Sequence, residues 1–407
     1  MIGCLAGLCV MLAAEDLAPE AKAAYDAHNY ALAVRLARPL AAKGNPQAQT
    51  ILGNLYRSGH GVPMNAKIAV SWYRKAAAQG YAIGEYQLGY MLTTGRGVTR
   101  DYQEAIEWHR KAAEQGYANS EFELGALYWE GHGVEKNPAE AVRWFRKAAD
   151  ADNTNAQFDL GYAYEHGQGV EQSDAEALNW YRKAAEKGDA AAENALGLMY
   201  DNGRGVPTDR KEATRWYIKA AQQAYPQAEY NLSIMRDGYG VKYDPAEAQR
   251  WLLRAARHGS SDAAVKIGWN YLDANPSDIP NARVWFQKAI AMDDPKGMVG
   301  MGFSFEKGSQ WDFDSAAKWF RKAADKGDSE GQNYIAQCYE KGEGVPKDVK
   351  AAFGWYLKSA EQGDEASLRR VVEMYTAGEG VEKNLVEADL WQRRYLDQVA
   401  RDRKGAQ

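Results

Sequence analysis

Apolar and polar positions follow a helical period along this chain, in two kinds of stretch that take turns. One kind reads AEAVRWFRKAAD, where Ala141, Trp144, Phe145 and Ala148 fall at i, i+3, i+4 and i+7 and share one helix face. The other reads A-x-x-x-L-G-x-x-Y, as in Ala156, Leu160, Gly161 and Tyr164, or Ala192, Leu196, Gly197 and Tyr200. The alternation is periodic. Trp72, Trp108, Trp144, Trp180, Trp216, Trp251, Trp285, Trp319, Trp355 and Trp391 are separated by 36, 36, 36, 36, 35, 34, 34, 36 and 36 residues. A repeat of this length means one supersecondary unit stacked on copies of itself, each burying its apolar face against its neighbours. The pattern predicts an all-α solenoid of about ten helix-turn-helix repeats of 34–36 residues.

The unit boundaries have local causes. Seven residues before each tryptophan stands Asn65, Asp101, Asn137, Ser173, Asp209, Asp244, Asp278, Asp312, Asp348 or Asn384, and every one is a helix N-cap type. The second helix of each unit should start there, with Pro138 and Pro245 at the first helical position. A glycine inside a helix costs about 1 kcal/mol against alanine. Its recurrence inside the first helices, at Gly53, Gly89, Gly125, Gly161, Gly197, Gly268 and Gly302, therefore points to close approach of two helices. Ser233 and Ala336 fill the same slot, and the larger Val372 predicts a looser fit in the last unit. Between the helices runs G-x-G-V, at Gly59–Val62, Gly95–Val98, Gly131–Val134, Gly167–Val170, Gly203–Val206, Gly238–Val241, Gly342–Val345 and Gly378–Val381. The glycines allow positive φ where the first helix stops, and the valine should plug the seam below the turn. Tyr271 to Pro280 lacks this turn and Gly308 to Asp312 abbreviates it, so a change of pitch is expected near residues 270–312.

Tryptophan, N-cap, glycine turn and K-A-A endings (Lys75–Ala77, Lys111–Ala113, Lys147–Ala149, Lys183–Ala185 and Lys322–Ala324) recur together, and the set resembles the Sel-one-like repeat (SLR) family, a relative of the tetratricopeptide repeats. The resemblance covers about residues 47–397, preceded by a half-unit at 20–44 with Ala24, Tyr25, Ala33, Leu36 and Ala37. It implies a right-handed superhelix of helix pairs used mainly as a protein-interaction scaffold. It also implies that the chain is of a kind often exported in bacteria, where some members act in surface assembly or polymer secretion.

The ends divide the chain further. Residues 1–14 carry no charge and match the apolar part and cleavage region of a signal peptide, although no Lys/Arg-rich start precedes them. The other reading is an apolar extension docked on the first helix. The organisation expected is a signal-peptide-like segment at 1–14, a capping half-repeat at 15–45, the solenoid at 46–397 and a polar tail at 398–407, in a protein that is periplasmic or secreted. No stretch is long and apolar enough for a membrane span. Net charge is −5, from 50 basic and 55 acidic residues with signs interspersed, which argues against nucleic acid as a partner.

Chemistry is sparse. A dinucleotide site needs a preceding strand and a downstream acid, whereas G-x-G-V recurs between helices. His60, His132 and His166 sit at turns too far apart for one metal ion, and His109 replaces the aromatic found elsewhere as Tyr73, Phe145, Tyr181 and Tyr217, which marks it as a core substitute. Cys338 stands alone on a helix and reads as a small buried hydrophobe. Cysteine-rich members of the family have been linked to β-lactam binding, but their cysteine pairs are absent, and so is any S-x-x-K with its companion S-D-N and K-T-G. No cofactor, metal or catalytic residue is expected. The Arg-Lys pairs after the aromatic, such as Arg74–Lys75 and Arg146–Lys147, read as a solvated outer face.

Binding is the function left. By analogy with tetratricopeptide superhelices, the first helices line a concave groove, with side chains three before, one after and four after the slot glycine pointing into it. Those positions hold Tyr86, Tyr90, Phe122, Trp129, Phe158, Tyr162, Tyr230, Trp269 and Phe303, with Asn54, Arg57, Glu165, Asp201, Asn194 and Asn333 among them. Aromatics with polar neighbours suit a protein or peptide partner. They suit equally an envelope glycan stacked on their faces, or packing within the chain itself. Trp129 and Trp269 lie outside the tryptophan register, so packing explains them least.

Overall fold

A computed structural model describes residues 18–235, 244–307 and 311–405. Among the described residues there are twenty-two helices and no strand. The signal-like segment 1–14, the turn at 238–241 and Gly308 lie outside them. The chain divides into two compact units, residues 1–216 and 217–407. In the first, helix pairs run Ala18–Asp26 with Tyr30–Ala42, Pro46–Ser58 with Ala66–Ala77, Ala82–Thr94 with Tyr102–Glu114, Ala118–Glu130 with Pro138–Asp150, and Thr154–His166 with Asp174–Glu186, followed by Ala190–Asn202. The second holds five more pairs, beginning at Pro226–Ile234 with Pro245–Arg257 and ending at Glu365–Ala377 with Leu385–Gly405. The segment read as a capping half-repeat thus carries two helices, and the last helix runs past residue 397. In the irregular stretch the helix Pro295–Phe303 has nine residues instead of thirteen, and the Asn275–Pro276 peptide is cis.

All ten N-cap residues do what their chemistry predicts. Each side-chain oxygen accepts a backbone N–H two or three residues on, as Asn137 does from Glu140 and Asp348 from Ala351. In the described turns both glycines have positive φ, and the following valine packs half-buried against the apolar cluster of its unit, as Val170 and Val206 do. The second turn glycine has a further duty. At Gly169 (φ +74°) an added Cβ would stand 2.3 Å from the carbonyl of Pro138, so this turn rests on the start of the preceding second helix.

The tryptophan register marks the core without being its deepest point. Trp180 and Trp391 are buried, but the other eight are half-buried. The residue after the tryptophan goes deeper: Tyr73, His109, Phe145, Tyr181, Phe286 and Phe320 are all within 2% of complete burial. Each ring lies on the glycine of its own first helix. A Cβ on Gly125 would meet the Phe145 ring at 2.5 Å, which is why that slot takes so small a residue. His109 occupies the same slot on Gly89, with Nδ1 3.4 Å from the Ser120 hydroxyl, and burial pushes its pKa down to about 3. Cys338 is buried as expected, and burial pushes its thiol up to about 12.

The Arg-Lys pairs are not a free solvated row. Each lysine folds back over the tryptophan three residues earlier, with Nζ 3.7 Å from the ring centre in Lys183–Trp180 and 3.9 Å in Lys111–Trp108 and Lys322–Trp319. The arginine reaches the next repeat instead. Arg110, Arg182 and Arg321 donate to the hydroxyls of Tyr128, Tyr200 and Tyr339 at 3.3, 3.1 and 3.3 Å, and Arg146 does the same to Tyr164. A second set of bonds between repeats is part-buried: Gln79, Gln115 and Gln362 donate to Gln49, Glu85 and Gln332 thirty residues earlier. His258 and Arg254 approach the buried Glu229 in the same way, at 2.7 and 2.8 Å.

Candidate functional site

The first helices of neighbouring repeats touch one another, as Pro46–Ser58 does Ala82–Thr94 and Ser261–Leu272 does Pro295–Phe303. The slot glycine turns one side of each first helix onto its own second helix. Positions three before, one after and four after the glycine then fall toward the neighbouring first helices. Eight of the nine aromatics expected there are half-buried and Tyr162 is 38% exposed. Most of them also lean on the core ring below. Ring centres lie 5.9 Å apart for Phe122–Phe145 and for Trp129–Phe145, 5.5 Å for Phe158–Tyr181 and for Trp269–Phe286, and 5.3 Å for Phe303–Phe320.

Three groups result. Tyr86 and Tyr90 pair at 6.5 Å, with Tyr117 5.2 Å from Tyr86. Trp129, Phe158 and Tyr162 come together around one open cavity of about 310 Å³. In the second unit Trp269 and Phe303 meet at 5.4 Å, and Tyr334, which the sequence reading passed over, closes on Phe303 at 4.7 Å. Tyr230 stands apart from these, against Leu252, Ala255, Ala263 and Ile267.

The polar positions behave differently from expectation, because most are committed inside the fold. Asn54 accepts from the Tyr73 hydroxyl at 2.8 Å, and Glu165 accepts from Tyr181 and Arg204, both at 2.6 Å. Asn333 is buried and donates to Asp364 at 3.0 Å, and Asp201 lies 3.7 Å from Arg210. Two acids that no pattern singled out stand beside the aromatics instead. Glu123 and Asp159 occupy the position two before the slot glycine. Burial raises the pKa of Glu123, and burial followed by the charge of Asp189 pushes Asp159 up to about 6. Asp159 also lines the cavity of Trp129, with Ala126, Glu130 and Phe145. That position varies too freely, from Ile51 and Ala195 to Lys266 and Arg370, for these two acids to be noticed in sequence.

Among the described residues no group of three or more potential metal ligands is present. His60 and His132 stack on Tyr30 and Tyr102 of the preceding repeat at 4.3 and 4.8 Å, and His166 stacks on Tyr162 at 4.1 Å. No described helix is long and apolar enough to cross a membrane.

Nine consecutive segments, 46–81, 82–117, 118–153, 154–189, 190–225, 226–260, 261–294, 295–328 and 329–364, match the Sel1 repeat. Among solved structures the chain is similar to c5321, a protective antigen present in uropathogenic Escherichia coli strains and displaying an SLR fold. The two are 31% identical with a TM-score of 0.61, over 96% of this chain and 91% of that one. It is also similar to a Sel1 repeat protein from Oxalobacter formigenes, 37% identical with a TM-score of 0.55, over 59% of this chain and 96% of that one. Among curated proteins none matches this chain.

Proposed function

The chain belongs to the Sel1-repeat family, whose members are in general protein-interaction scaffolds, and on that premise we propose that it is a non-catalytic scaffold binding a protein or peptide along its first helices. One observation carries the reading: Trp129, Phe158 and Tyr162 surround an open cavity between two neighbouring first helices. Trp129 is outside the repeat register, so the stacking of units does not require an indole there. Large aromatics that are part anchored and part exposed are what interface hot spots are made of. Export belongs to the same proposal. It rests on the uncharged run at residues 1–14, and a mature chain starting near Glu15 in the envelope fraction is the expected outcome of mass spectrometry. Intact Met1 in the cytosol would overturn it.

The face itself is tested by photo-crosslinking in the native host. A benzophenone side chain at Tyr162 or Trp269 should give discrete polypeptide adducts, and one at the exposed second-helix positions Glu107 or Arg143 should not. Equal labelling from both faces, or adducts with glycan alone, would overturn the reading.

A further inference from the structure

We infer that the cavity between the helices Ala118–Glu130 and Thr154–His166 is a cation pocket that takes a lysine or arginine side chain of the partner polypeptide. Its walls are Trp129, Phe158 and Tyr162, Phe145 lies beneath, and the polar groups lining it are the carboxylates of Asp159 and Glu130. No lysine or arginine lines it. Aromatic faces around a carboxylate attract a cation twice, through the ring quadrupoles and through charge.

Two comparisons within the chain sharpen the assignment. Nine register tryptophans carry the chain's own Lys or Arg over the ring, as Lys147 covers Trp144 at 4.2 Å and Arg254 covers Trp251 at 4.6 Å. Trp129 has no such cover among the described residues, although it stands beside carboxylates. The acids differ as well. Glu165 and Glu340, on equivalent first helices, are held by Arg204 and Arg370. Asp159 has no hydrogen bond or ion pair among the described residues, yet it is largely withdrawn from water, which is costly for a carboxylate. A basic side chain entering the cavity supplies the missing partner and covers the bare indole in one step. The surrounding charge favours it: Glu130 lines the cavity, and the charge of Asp189 acts on Asp159.

The proposal rests on the scaffold reading, but its test does not use the natural partner. The full chain is labelled with 5-fluorotryptophan, and the Trp129 resonance is identified by its loss in Trp129→Phe. The probes are n-butylammonium, n-butylguanidinium and the neutral 1-pentanol. Both cations should shift that resonance saturably, in the millimolar range open to ligands of this size, and 1-pentanol should not. Asp159→Asn should weaken the cations by about tenfold, the loss of one charge-assisted contact. The same variant should melt at a higher temperature than the parent at neutral pH, because a poorly solvated charge is removed. Equal binding of 1-pentanol, unchanged affinity in Asp159→Asn, or no saturable shift overturns the pocket. Loss of crosslinks from Tyr162 and Trp269 with cation binding intact would sink the scaffold reading and leave the pocket standing. Crosslinks without cation binding would do the reverse.

Discussion

Phe145→Ala should cost about 3–5 kcal/mol of the stability of its repeat, the range for truncating a fully buried aromatic. The Phe145 ring is 2% exposed and lies directly on Gly125, which has no side chain to fill the space it leaves. Trp144→Ala should cost less, about 1–3 kcal/mol, although it removes the larger side chain. Its indole is half-buried, and part of what it contributes is the contact with Lys147 at 4.2 Å. Hydrogen exchange of the helices Ala118–Glu130 and Pro138–Asp150 measures both losses. Solenoid contacts are local, so protection should fall there and in the adjacent pairs before it falls at Ala18–Asp26. If Trp144→Ala is the more damaging of the two, the tryptophan register is the core after all.

The second large effect concerns acid. His109 titrates at about 3 in the folded protein against 6.5 as the ordinary value, because burial excludes the charged ring. Below pH 6.5 the unfolded chain takes up a proton that the folded chain refuses. Stability therefore falls by up to about 1.4 kcal/mol per pH unit, until the pH approaches the folded value. Between pH 7 and pH 5 the loss from this one ring is about 2 kcal/mol. The chain carries its own remedy. The equivalent positions in the next repeat hold Phe145 and Ala156, both buried in one cluster, where this repeat holds His109 and Ser120. The double variant His109→Phe, Ser120→Ala should keep the fold and lose about 2 kcal/mol less than the parent between those two pH values in urea unfolding. An unchanged pH dependence would show that His109 is not held neutral.

How much of this was legible in the sequence depends on distance along the chain. The N-caps and the glycines of the described turns read out as expected, because a capping oxygen and a positive φ are decided within three residues. The helix pairs followed from periodicity alone. The roles of Lys147 and Arg146 did not, since a charged pair on a helix looks the same whether it is solvated or folded over an indole and onto Tyr164 of the next repeat. The depth of Phe145 below Trp144 was hidden because size suggests burial, whereas the slot at Gly125 decides it. At the candidate site the aromatics were found by counting from that glycine. Asp159 was missed because its environment comes from Trp129 and Tyr162, on two helices that only the fold brings together.

The face of the first helices is tested most directly by truncating the residue that the repeat does not require. Trp129→Ala should melt within a few degrees of the parent, well above Phe145→Ala, and should lose the polypeptide adducts formed from a benzophenone at Tyr162. Trp129 is half-buried against Phe145 at 5.9 Å, so a small stability loss accompanies the larger loss of binding. A Trp129→Ala protein that melts as low as Phe145→Ala, or that keeps its adducts undiminished, would contradict the assignment of this face to a partner.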